Sequence, residues 1–218
     1  MEIVHSITDD SRRINRRPYR LEAGRWNRDN ATMPTVATTN SHLRKAAAVF
    51  VGTVAIAIGA RLEVAIPGTD VPQTAQTFAV LIAGIFLGPG YGSLAVVSYV
   101  VLGVIGVPVF AGDGSGLEVL AGPTAGYLLG FVFGAAIAGY WTSTRLAGRI
   151  DGAFAGMVLA HSVILFLGWL RLSLLLGPAP AYSVGVEPFW FGAFVKSLVA
   201  AGVCAVVVSR REVARGSQ

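Results

Sequence analysis

The sequence predicts an all-α integral membrane protein, a bundle of six transmembrane helices with both termini in the cytoplasm. Three observations predict it. The 218 residues are 54% hydrophobic and only 13% charged, against roughly 25% charged in an average soluble domain. Residues 71–112 and 119–144 carry no charged side chain, and apolar runs of about 18 or more residues read as membrane spans. Nine of the 17 basic residues precede Ala46 and three follow Ser209, the placement expected of topology signals rather than of nucleic-acid contacts. This composition excludes a soluble enzyme, a nucleic-acid-binding domain and a disordered chain. The apolar runs are continuous, without the alternation of a β-barrel, so helices are the structures that satisfy their backbone polar groups in hydrocarbon.

Residues 1–42 form a polar, Arg-rich leader with no apolar signal-peptide core, expected to be a disordered cytoplasmic tail, with Met33 as an alternative start. Six spans follow within a membrane domain of residues 43–209. The first runs over Leu43–Leu62 and the second over Thr74–Leu87. The third, Tyr91–Val107, is joined to the second by Gly88-Pro89-Gly90, turn chemistry that folds the two into a hairpin. The fourth covers Gly122–Thr142, the fifth Gly152–Leu176 and the sixth Phe189–Ser209, leaving 210–218 as a second cytoplasmic tail. With the N-terminus inside, 14 of the 17 Lys and Arg residues fall on the inner side, all but Arg61, Arg171 and Lys196. The outer connections hold Glu63, Asp70, Asp113, Glu118 and Glu187. An even number of spans follows.

The outer connections are rich in Gly and Pro: Pro67, Gly68 and Pro72 in the first, Gly112-Asp113-Gly114-Ser115-Gly116 in the second, three prolines between Gly177 and Pro188 in the third. Such loops either shape a ligand pocket or serve as plain connectors. Ionisable residues at membrane depth point to function. Lys196 lies about 10 Å below the outer end of the sixth helix. Arg171 is nearer the boundary, where snorkelling is easy. His161 reads as an internal hydrogen-bonding residue. With His5 and His42 both ahead of the first span, no metal cluster forms. No phosphate-binding Walker sequence, nucleophile elbow or zinc-binding helix motif occurs, so neither a catalytic set nor a cofactor is expected. Ala48 with Gly52, and Thr53 with Ala57, are small pairs four residues apart that let helices approach closely. Cys204 is a small packing residue.

Several ordered motifs resemble the BioY family. They are Gly59-Ala60-Arg61 with Val71-Pro72-Gln73-Thr74-Ala75-Gln76-Thr77-Phe78, Leu87-Gly88-Pro89, Gly103-Val104-Ile105-Gly106-Val107-Pro108, Gly122-Pro123-Thr124-Ala125-Gly126-Tyr127, and Gly185-Val186-Glu187-Pro188-Phe189 with Gly192 and Lys196. The resemblance spans residues 43–209. It implies the biotin-binding S component of an energy-coupling factor (ECF) transporter in the plasma membrane of a prokaryote. It also implies a transmembrane coupling protein and two ATP-binding-cassette ATPases as partners, with Ala48, Gly52, Thr53 and Ala57 facing the coupling protein. Biotin's ureido ring, thiophane and carboxylate then suggest Thr74 and Gln76 as polar partners. Tyr99 and Tyr127 would stack and donate, Phe110, Trp169 and Trp190 would act as walls, and Lys196 as the positive end. The chain departs from the family pattern at Ala193, where an Asp stands one turn before the Lys. Glu187 and Asp113 are the acids available to substitute. That departure keeps a second vitamin in play as ligand, and a structural membrane protein without a ligand is the reading from another class. Oligomeric state stays open.

Overall fold

The computed structural model describes residues 35–64 and 71–216. The basic leader before Thr35, the alternative start at Met33, and Pro67, Gly68 and Asp70 of the first outer connection lie outside the described residues. The chain runs through α1 (Thr35–Arg61), β1 (Glu63–Val64), β2 (Gln73–Thr74), α2 (Gln76–Val104), α3 (Ala125–Trp141), α4 (Ile150–Leu176), α5 (Pro178–Gly185) and α6 (Trp190–Gly216). Four helices are long and apolar enough to cross a membrane, namely α1 from Ser41, α2, α4 and α6 to Ala214; α3 is apolar but shorter.

The long α2 is two helices in one. Gly88 breaks it with φ 78° and ψ 177°, a region that only glycine occupies freely. Pro89 starts the second leg. Beyond this turn the legs double back: a Cβ built on Gly92 would lie 2.8 Å from the Cα of Gly84. In one continuous helix those residues would be about 12 Å apart. The hairpin expected from Gly88-Pro89-Gly90 therefore forms, and its two glycines allow backbone-to-backbone contact. Counting the legs separately, six apolar helical segments make up the bundle.

Three parts of the chain differ most from expectation, beside shifts of up to three residues at other helix ends. Helix α1 starts at Thr35 rather than Leu43, and α6 continues to Gly216 rather than stopping at Ser209. Both polar extensions prolong an apolar helix already nucleated, and that of α6 adds the good helix formers Arg210, Arg211, Glu212 and Ala214. The stretch between Gly177 and Pro188 is not a plain connector. Gly177, at φ 84°, turns the chain, and Pro178 opens the short helix α5 at its first position, where a missing N–H costs nothing.

Residues Thr39–Gln218 form one compact unit. Helix α4 lies at its middle, packed on α3, α5 and α6, while α2 packs on α3 and α6. The buried core runs through Ile56, Leu81, Ile85, Tyr99, Met157, Ile164, Leu172 and Cys204. Cys204 is fully buried, as a packing residue should be.

The small-residue face of α1 is already occupied. Gly52 meets Leu87 and Ala95, one on each leg of α2. Thr53 is buried, and its hydroxyl donates to Val49 O and Ala95 O, each at 3.0 Å. This corrects the assignment of Gly52 and Thr53 to a coupling-protein face: their smallness serves packing within the chain. Ala48 and Ala57 remain half-buried beside them.

Candidate functional site

One end of the bundle gathers the start of α2, the end of its second leg, the start of α3, the C-terminal half of α4 and the start of α6. A two-residue antiparallel ribbon lies there, pairing Glu63 with Thr74 and Val64 with Gln73. Ala75 N–H extends it with a bond to Leu62 O at 2.9 Å. The loop between Val107 and Ala125 folds over this end. Two arginines hold it from opposite sides. Arg61 of α1 donates to Pro108 O and pairs with Asp113. Arg171 of α4 donates to Gly122 O at 3.2 Å and to Ala121 O. Glu63 adds a bond from Gly112 N–H at 3.1 Å. The two outer arginines of the topology count thus fasten a loop.

Under this loop lies a cavity of about 360 Å³, within the range of small-molecule sites. Val71, Pro72 and Thr74 line it from the ribbon, Gln76, Thr77 and Tyr99 from α2, and Phe110, Glu118, Val119 and Thr124 from the loop. Tyr127 and Phe131 line it from α3, His161, Ile164 and Leu165 from α4, and Phe189, Ala193 and Lys196 from the start of α6. The walls are mostly apolar and aromatic. Tyr99 meets Phe110 edge-on at 5.5 Å between centroids, and Tyr127 meets Phe189 at 6.5 Å. Gly103 seats the Phe110 ring and Gly168 the Tyr127 ring, at distances that leave no room for a side chain.

Of the residues singled out in the sequence, Thr74, Gln76, Tyr99, Phe110, Tyr127 and Lys196 meet at this cavity. Their roles shift in places. Tyr99 O–H donates to Val109 O at 3.2 Å and Tyr127 O–H to Gly185 O at 2.6 Å. Both hydroxyl protons are spent on holding neighbouring backbone, so the tyrosines offer the cavity their rings rather than the donors assigned to them. Trp169 is off the cavity: its indole N–H donates to Pro178 O at 3.1 Å. One residue beyond Gly168, it is turned about 100° from the face that carries His161, Ile164 and Gly168. Trp190 is also excluded, being 58% exposed.

Lys196 reaches across to α2, where its Nζ donates to Thr74 O at 2.6 Å and Thr77 Oγ1 at 3.3 Å. An ammonium has three donors, which leaves one for the cavity. Neither acid suggested as its partner performs that role. Asp113 is paired with Arg61, and Glu187 is exposed and outside the cavity lining. Among the described residues the ion pairs are Arg61–Asp113 and Arg149–Asp151, so Lys196 is held by neutral oxygens. Glu118 is the acid on the cavity wall; among several loop acids, nothing in its spacing marked it out.

Two lining side chains carry buried polar atoms without a well-formed hydrogen bond to protein, Gln76 Nε2, which neighbours the Tyr99 hydroxyl, and His161 Nε2. Gln76 is 4% exposed and His161 3%. Buried polar atoms are nearly always paired, so two orphans on one cavity mark where a ligand's polar atoms belong. The signal for His161 was its presence in mid-span. That it faces a cavity depends on α2 and α6, which a single helix pattern does not reveal.

A family comparison matches residues 32–213 to the BioY family. The chain is 38% identical over 167 residues to the biotin transporter BioY of Thermotoga maritima, covering 75% of this chain and 94% of that one. It is 35% identical over 153 residues to the probable biotin transporter BioY of Pyrococcus horikoshii, covering 70% and 86%. Among solved structures it is similar to the S-component for biotin from an ECF-type ABC transporter. The TM-score is 0.66 at 23% identity, over 79% of this chain and 93% of the other. That likeness establishes the shared fold.

Proposed function

The chain belongs to the BioY family, and from that premise we propose that it is the biotin-capturing membrane subunit of an ECF-type vitamin uptake transporter. The observation that carries the reading is the cavity itself: aromatic walls, a donor-rich lining at Lys196, Gln76 and His161, and a loop pinned over it. Biotin matches it in chemistry. The thiophane and valerate chain bury against Tyr99, Phe110, Tyr127 and Phe131, while the ureido oxygen and the carboxylate accept from the three donors. Neutral holding of Lys196 by Thr74 and Thr77 leaves its charge free to meet a carboxylate.

The role is transport. The chain sits in the plasma membrane of a prokaryote with both termini in the cytoplasm, following its Lys/Arg asymmetry, and the cavity opens on the outer side. It docks on a transmembrane coupling protein, and two ATP-binding-cassette ATPases supply the energy that turns the loaded subunit inward. Ala48 and Ala57 remain on α1 as contacts for that docking.

Displacement of radiolabelled biotin from detergent-purified protein tests the reading. Unlabelled biotin is expected to compete at stoichiometric amounts, and thiamine, riboflavin and lipoate to leave the label in place. Displacement by one of those three at lower concentration than biotin would reassign the ligand. Failure of the protein to retain any label would remove the capture role.

A further inference from the structure

His161, which lines the cavity, belongs to a buried pair that ties α4 to α6. His161 is at mid-helix in α4, and its Nδ1 lies 2.8 Å from the hydroxyl of Ser197 on α6. Both side chains are buried, at 3% and 1% exposure. Ser173 and Ser209 bond their own helix four residues back, to Trp169 O at 2.7 Å and Ala205 O at 2.8 Å, while Ser93 reaches Val132 O on α3 at 2.9 Å. Ser197 likewise turns across, to α4.

That choice fixes the imidazole. A buried hydroxyl needs an acceptor for its proton, and among the described residues the partner within hydrogen-bond distance of Ser197 Oγ is His161 Nδ1. Ser197 therefore donates and Nδ1 accepts, in preference to an Nδ1–H bond to the Met157 carbonyl one turn back on α4. In a neutral imidazole the other nitrogen then carries the hydrogen. That nitrogen, Nε2, is the buried atom without a protein partner, and its residue lines the cavity together with Ala193 and Lys196. Ala193 contributes only a methyl group one turn before Lys196, so this stretch of wall presents donors and no acid.

We propose that His161, locked by Ser197 with its hydrogen on Nε2, is a specificity-determining donor that binds an acceptor oxygen of the ligand beside Lys196. A site built this way accepts a carboxylate or urea carbonyl and rejects a ligand that presents an N–H or hydroxyl donor there, because two donors would then be buried face to face. Ser197 acts through His161 and is a positioning residue. The ligand's identity as biotin rests on the proposed function; the hydrogen on Nε2 does not.

The test has two arms on the full chain in detergent. Nitrogen-15 histidine labelling, with the His161 signal assigned by its loss in His161→Gln, reads the tautomer in ligand-free protein. The expected result is hydrogen on Nε2, with Ser197→Ala losing that preference; hydrogen on Nδ1 overturns the proposal. Calorimetric titration with biotin then compares variants. His161→Phe is expected to bind at least tenfold more weakly than the unsubstituted chain, and His161→Gln, which keeps an N–H near the same place, within about threefold. Equal binding by His161→Phe overturns the proposal. Should that variant fail to fold, the Nε2 signal of unsubstituted protein decides: it shifts on saturation with biotin, and an unmoved signal overturns the assignment. If the unsubstituted chain does not bind biotin at all, the ligand reading falls, and the tautomer still decides the state of the pair.

Discussion

Removing the Lys196 ammonium takes a charged donor from the cavity and frees two oxygens, Thr74 O and Thr77 Oγ1, that it now satisfies. Charge-assisted bonds in a partly buried site are worth about 1.5–3 kcal/mol, a tenfold or larger change in binding. Lys196→Ala is expected to weaken biotin binding at least tenfold, read by titration of purified protein. Unchanged affinity would take Lys196 out of the site. Lys196 was legible in the sequence because a charge at membrane depth is costly and needs a reason. Gln76, Tyr99, Phe110 and Tyr127 were named through motif resemblance and line the cavity, while the walls Phe131 and Phe189 were not named. Trp169 was misjudged for a physical reason: a tryptophan near a helix end suits either a wall or a hydrogen bond to a turn, and only the position of Pro178 decides between them. The assignment of acids failed likewise. Asp113 pairs with Arg61, a partner more than fifty residues earlier, rather than with Lys196.

The α2 hairpin and the pinned loop carry the geometry at the next scale. Gly92 approaches Gly84 so closely that a side chain has no space, and overpacking of this kind costs about 1–3 kcal/mol. Gly92→Leu is expected to lower the thermal midpoint in detergent by several degrees, followed by intrinsic fluorescence. A midpoint equal to that of the unsubstituted protein would show that the legs are less tightly apposed. The hairpin could be read from Gly88-Pro89-Gly90 because local turn chemistry determines it. The ribbon of β1 and β2 could not, since two residues per strand carry no periodicity. Helix α5 was hidden by its prolines, which suggest a connector until one of them is seen to occupy a helix's first position. The face of α1 was ambiguous for a related reason: small residues permit close approach to any helix, and which helix takes it is a tertiary matter.

For the whole molecule, charge and apolar content determine the class and the number of segments, and both were legible from composition. Orientation rests on the Lys/Arg asymmetry alone. With Cys204 as the sole cysteine, a Cys204→Ala background allows single-cysteine labelling by a membrane-impermeant thiol reagent. Ser115→Cys is expected to label in intact cells, and Ser143→Cys, in the connection between α3 and α4, only after permeabilisation. The reverse pattern would invert the topology and put the cavity on the inner side. Ligand capture is the claim on which the other roles depend, and calorimetric titration of the detergent-purified full chain with biotin tests it most directly. A dissociation constant in the nanomolar range, near −12 kcal/mol, is the predicted result. Binding weaker than about 100 µM, roughly −5.5 kcal/mol, would contradict it.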